Sequence, residues 1–136
     1  MSFTYRVEQL ADEPIVIDWI GAAYAMAEHS EPNSDAIRAI LEAAEQPLFF
    51  IFELSEANFS LDDIMAGASR GAHSTQGLLR HPKMRQMVVV TQSRLLKLAA
   101  IGMKSVTFGR LNVKVCSSLD EALTYCRAEV AAQAKA

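Results

Sequence analysis

The sequence predicts an α/β domain: a mainly parallel sheet of four to five strands, built from four strand–helix units behind one extra N-terminal strand. Three observations carry this. Short β-branched or aromatic runs recur at residues 14–21, 48–54 and 84–91. Apolar stripes at helical spacing stand between them. Breakers and caps (Pro47, Ser60, Ser93 and Ser118) fall at the junctions. Such alternation with short connections favours parallel strands joined by right-handed crossovers. The chain has 136 residues, 51% of them apolar and 21% charged, which suits one domain over 1–136 with a real core.

The elements follow in order. Residues 4–10 alternate weakly through Tyr5 and Val7, and pair as a hairpin with the next run through Ala11, Asp12, Glu13 and Pro14. Residues 14–21 (PIVIDWIG) are β-branched and closed by glycine, so they form a strand. Residues 22–33 mix Tyr24, Met26 and His29 with polar groups, and Glu31-Pro32-Asn33 reads as a loop leading into a helix. Ile37, Ile40, Leu41 and Ala44 mark that helix, and Pro47 stops it. Residues 48–54 (LFFIFEL) are almost uninterrupted, the pattern of a central strand buried on both faces. Ser60 and Asp63 form a capping box ahead of a stripe at Leu61, Ile64, Met65 and Ala68. Residues 73–83 read as a loop or short helix. Met87-Val88-Val89-Val90 is a third buried strand. Ser93 caps a helix expected to bury Leu95, Leu98, Ala99 and Gly102, and Leu111, Val113 and Val115 alternate as a shorter strand. Ser118-Leu119-Asp120-Glu121 then opens the last helix with a capping box and two acids in its first turn. Its stripe is Leu119, Ala122, Leu123, Cys126 and Val130, and residues 131–136 are expected to fray.

Charge is unevenly distributed. The net charge of −3 is made of −11 over residues 1–63, +9 over 64–119 and −1 over 120–136. Residues 64–119 contain no Asp or Glu, and their densest basic stretch holds Arg70, Arg80, Lys83 and Arg85. A basic surface attracts phosphates. Yet Phe108 is the only aromatic in that segment, so base stacking has no platform, and nucleic acid is not expected as a partner. The alternatives are an acidic half of the same chain, a second copy making a homodimer, or a protein partner.

Other chemistries find little footing. No run approaches the roughly 20 apolar residues of a membrane helix, and the first six residues hold no apolar signal core; a cytoplasmic protein is expected. His29, His73 and His81 are scattered without ligand spacing, so no metal site is expected. Gly67 and Gly71 lack the remaining glycines and the lysine of a phosphate loop. Cys116 and Cys126 read as inert core thiols. No elbow motif assembles a nucleophilic triad, and neither a cofactor nor catalysis is expected.

The junction from Glu53 to Asp63 is the most promising region. Ligands and partners of parallel sheets meet the loops at the carboxyl ends of strands, and a helix start there offers free N–H groups. Ser55, Asn58, Ser60, Asp62 and Asp63 are therefore the candidate partner-binding or modification residues. Trp19, Tyr24, Phe50 and Phe59, with Phe49 and Phe52, could instead line an apolar ligand pocket.

Glu53-Leu54-Ser55 before a helix start, residues 81–90 (HPKMRQMVVV) and residues 113–123 (VKVCSSLDEAL) together resemble SpoIIAA-like domains, relatives of the bacterial STAS anti-sigma-factor antagonists. The resemblance spans roughly residues 4–130. It implies a four-turn βα superhelix with an additional N-terminal strand, a non-enzymatic regulatory role and a kinase-like anti-sigma partner. It also implies a phosphorylated serine at the helix start. Here that start reads Ser60-Leu61-Asp62-Asp63, without the usual Asp-Ser-Ser-Gly. Ser60 is the nearby hydroxyl, and Asp62 or Asp63 falls where the serine would stand. The leading expectation is a regulatory or protein-binding module; the alternatives are a small apolar-ligand binder and a structural homo-oligomer.

Overall fold

The structure, a computed structural model, describes residues 3–60, 62–63, 78, 81–102 and 112–134. Five strands form one sheet in sequential order: β1 (Tyr5–Gln9), β2 (Ile15–Ile20), β3 (Leu48–Glu53), β4 (Met84–Val90) and β5 (Val113–Cys116). β1 and β2 are antiparallel, and every later pairing is parallel. Three helices are described: α1 (Met26–Ala43), α2 (Arg94–Gly102) and α3 (Leu119–Ala134). The helix expected over 61–68, the segment 64–77 with Arg70 and His73, Arg80, and Leu111 lie outside the described residues, apart from the helix start at Asp62 and Asp63.

The period of two in the strands sorts the core. On one face, Val16, Leu48, Phe50 and Met84 meet Ile37 and Leu41 of α1, and Val89 and Val113 meet Ala100 of α2. On the other, Ile15, Ile17, Phe49, Ile51, Val88, Val90 and Cys116 meet Ala122 and Cys126 of α3. A sheet that grows in one direction through right-handed crossovers places its crossover helices on a single face; α3, which follows β5, covers the other. Burial pushes the Cys126 thiol up to about 12, with Cys116 beside it adding to the effect, and raises the Cys116 thiol too. Both are inert protonated core groups.

The turn from β1 to β2 places Asp12 at φ 60°, a left-handed conformation that a short Asp side chain tolerates. Glu13 on this turn accepts two hydrogen bonds from Arg127 of α3, at 2.8 and 3.1 Å. The hairpin is thereby tied to the last helix.

Three sequence expectations are corrected. First, α1 begins at Met26 and runs through Glu31-Pro32-Asn33, where a loop was expected. Pro32 stands on the exposed side, where water can meet the carbonyl left without a proline N–H. His29 Nδ1 accepts the Ala25 N–H at 2.8 Å and so does the work of a cap. Second, α2 turns Leu95, Leu98 and Ile101 outward, 47%, 62% and 53% exposed, and buries Ala100 with Leu96 half-buried. The start of the helix sets this rotation: Thr91 Oγ1 accepts the Ser93 N–H, and Ser93 Oγ accepts the Leu96 N–H. Third, α3 stays helical to Ala134 instead of fraying from residue 131. Its entry is fixed by Ser118 Oγ accepting the Glu121 N–H and by the Glu121 carboxylate accepting the Ser117 N–H.

Candidate functional site

Parallel strands bring their following loops to one end of the sheet. Here that end collects Leu54–Ser60 after β3, Thr91–Ser93 after β4 and Ser117–Ser118 after β5. Gln92 ties the three together, donating from Nε2 to Ser55 Oγ at 3.3 Å and to the Ser117 carbonyl. Lys97 Nζ reaches Ser117 Oγ at 3.4 Å. Glu53 folds back so that its Oε1 accepts the Ser55 N–H at 2.8 Å. Ser55 is thus held by its amide and its hydroxyl, although it is exposed.

Beside this loop lies a hollow of about 700 Å3, lined by Phe3, Tyr5, Arg6, Trp19, Ile20, Glu53, Ser55 and Glu56. It wraps the corner of the sheet, because Tyr5 pairs with Ile20 on one face and Arg6 with Trp19 on the other. The Arg6 guanidinium lies 5.2 Å from the Trp19 ring centroid, a cation–π distance, and Trp19 Nε1 donates to Glu8 at 3.3 Å. The hollow is therefore an aromatic floor with one cation and two acids, Glu53 and Glu56, at its rim.

Gly21 shapes the wall. Its N–H donates to the Thr4 carbonyl at 2.8 Å, and a Cβ built there would collide with the Phe3 carbonyl oxygen. Gly21→Ala must push the chain at Phe3 aside. It is expected to cost about 1–3 kcal/mol, the usual range for overpacking, and to shift the amide resonances of Phe3 and Thr4. Unchanged unfolding midpoints and resonances would show that this close approach is not needed.

The structure places the expected residues other than Arg70 and Arg80, which lie outside the described residues. Ser60 and Asp63 form the anticipated capping box, with Ser60 Oγ accepting the Asp63 N–H and Asp63 Oδ2 accepting the Ser60 N–H, both at 3.1 Å. Asp63 is thereby occupied, whereas Asp62 and Asn58 are exposed. Of the four expected pocket aromatics, Trp19 lines the hollow. Tyr24 and Phe59 pack edge to face at 6.0 Å under the loop, with Tyr5 and His29 extending the cluster. Phe50 is fully buried between β3 and α1, because its position on a central strand points it into the core.

Lys83 and Arg85 do not border this site. They flank the start of β4, at the amino ends of the parallel strands, roughly 20 Å from the loop at about 3.3 Å per residue. Both are engaged there, Lys83 with the Glu45 carbonyl at 3.3 Å and Arg85 with the Glu129 carbonyl and, at 4.5 Å, the Phe49 ring.

Sequence reading missed one pair. Asp18 of β2 is 0% exposed and Asn33 of α1 is 5% exposed, and Asn33 Nδ2 donates to Asp18 Oδ2 at 2.8 Å. Burial raises the Asp18 carboxyl to about 7 against the opposing pull of the Asn33 hydrogen bond. The signal was a lone acid inside an apolar run: with Ile15, Ile17 and Trp19 on one face, Asp18 had to share the other with Val16 and Ile20.

The architecture, one antiparallel pair followed by parallel strands, is a SpoIIAA-like fold. Among solved structures the chain is similar to an uncharacterised protein of the DUF3478 family with a SpoIIAA-like fold from Shewanella loihica PV-4, at TM-score 0.58 and 15% identity over 93% of this chain and 95% of that one. A likeness at this identity shows the fold alone. No family model and no curated protein matches the chain. Among the described residues no cluster of three or more His, Cys, Asp or Glu could hold a metal ion, and no helix is long and apolar enough to cross a membrane.

Proposed function

We propose that the domain is a non-enzymatic, STAS-like regulatory module that receives a protein partner at the carboxyl ends of β2 and β3. The observation that carries this reading is the hollow beside a loop braced at Ser55, at the end of the sheet where partners of such folds meet the chain. Its chemistry suits a partner segment that seats an apolar or aromatic side chain against Phe3, Tyr5 and Trp19. Glu53, Glu56 and the exposed Asp62 beyond them favour a basic group on the same segment. Phosphorylation of Ser60 would put a dianion beside Asp62 and Asp63 and displace the Asp63 N–H from Ser60 Oγ, which would turn the acidic rim further against an acidic partner.

The test compares protein capture by the wild type with capture by Ser55→Arg, which projects a bulky cation into the hollow, and by Asp62→Ala. Lys83→Ala, at the opposite end, serves as control. The specific partner is expected to bind the first two variants at least about tenfold more weakly, equivalent to about 1.4 kcal/mol, and to bind the control as it binds the wild type. Capture that survives Ser55→Arg and Asp62→Ala, or that falls only with Lys83→Ala, refutes this placement.

A further inference from the structure

Asp18 and Asn33 leave two oxygens unaccounted for. Asn33 Nδ2 serves Asp18 Oδ2, but Asp18 Oδ1 and Asn33 Oδ1 are both buried without a hydrogen-bond partner. Two orphaned acceptors in one buried pair are a costly arrangement. A proton on Asp18 Oδ1 removes both faults together. The acid O–H then donates to the Asn33 carbonyl while the Asn33 amide donates to the other carboxyl oxygen, a two-point acid–amide pair.

Among the described residues, none that pairs with Asp18 or hydrogen-bonds to it is a cation. Val7 of β1 stands opposite Asp18 and Phe52 of β3 beside it. Among the described residues, the titratable groups toward this face are Tyr5 of β1, Tyr24 just before α1 and His29, one turn before Asn33 on α1; His29 Nδ1 is occupied by the Ala25 N–H. Asp35 and Arg38 of α1 pair with each other at 3.4 Å. Arg6 and Glu8 of β1 project to the opposite face with Trp19.

We propose that Asp18 and Asn33 form a proton-operated latch: the neutral acid pins α1 to β2, and loss of the proton loosens α1 and the aromatic cluster at its N-terminal end. The route is short. Tyr24, just before α1, contacts His29 at 5.6 Å and Phe59 of the loop, edge to face, at 6.0 Å, so a shift of α1 on the sheet reaches the loop through ring contacts. The raised Asp18 carboxyl, near 7, puts the change in the neutral range. The latch concerns the fold and holds whatever the loop binds.

Carboxyl-carbon and amide NMR of the full chain between pH 4.5 and 8.5 tests it. The Asp18 carboxyl is expected to titrate near neutrality, with the latched population falling about tenfold per pH unit beyond the midpoint. The Asn33 side-chain amide and the Tyr24 and Phe59 resonances should follow the same midpoint. In Asp18→Asn an amide–amide pair preserves both hydrogen bonds, and those resonances should stay fixed across the range. A wild-type Asp18 that titrates in the ordinary carboxylate range overturns the latch whether or not the variant folds. So does a neutral-range titration that leaves Tyr24 and Phe59 unmoved, or a Phe59 shift that persists in Asp18→Asn.

Discussion

Folding stability is expected to fall by about 4 kcal/mol between pH 4 and pH 7 through Asp18 alone. The native carboxyl sits near 7, above its ordinary 3.8, because β2 and α1 exclude water from it. Below about pH 4 the folded and unfolded chains both carry the proton, and the contribution is fully present. Between about 4 and 7 the unfolded chain has released a proton that the folded chain keeps, so each pH unit costs about 1.4 kcal/mol. Above about 7 both states are ionised and the loss is complete. Glu13 acts in the opposite sense: its hydrogen bonds from Arg127 hold its carboxyl below the usual range, so its smaller contribution is lost as pH falls. Urea unfolding at pH 4.5, 6 and 7.5 separates the two. Asp18→Asn removes the ionisable group, and its advantage over the wild type should widen as pH rises. Parallel curves for the two proteins would mean that the native acid is already charged at pH 4.5.

Phe50→Ala is expected to cost about 3–5 kcal/mol, the range for truncating a fully buried aromatic. Phe50 is 0% exposed and packed among Val16, Ile37, Leu41, Leu48 and Met84, where neither a central strand nor a helix anchored by Ile37 and Leu41 can easily collapse into the space. A domain holds about 5–15 kcal/mol in total, so the variant should sit near its folding threshold. Leu98→Ala, on the outward side of α2, should change stability by no more than about 0.5 kcal/mol. Denaturant midpoints for both decide the matter, and a Leu98 cost equal to that of Phe50 would contradict the orientation of α2.

These contrasts mark what the residues disclose. β2, β3 and the second half of β4 are legible because strand segments buried on both faces draw mainly on β-branched and aromatic side chains. The boxes at Ser60 and Ser118 are legible because capping is local, decided within four residues. The first half of α1 is not legible: its polar residues face water, Pro32 mimics a stop, and the inward residue there is Asn33, whose partner is fifteen positions away on β2. The face of α2 misleads because Leu95 and Leu98 look like core, while the small Ala100 makes the contact with Val89 and Val113. Within the candidate site, the loop and its box follow from the sequence. The hollow does not, because it is made where β1, β2 and the end of β3 converge.

The sequential order of the strands bears on how the chain is made. As synthesis proceeds from the N-terminal side, every strand emerges to find its neighbour already present, and no strand must be threaded between two others. The face behind them has no such provision. Ile15, Ile17, Phe49, Ile51 and Val88 are covered by a helix that leaves the ribosome only after all five strands. Until those last turns arrive, a nascent chain carries a broad greasy surface, which makes this interval the one in which chaperone capture or aggregation competes with folding.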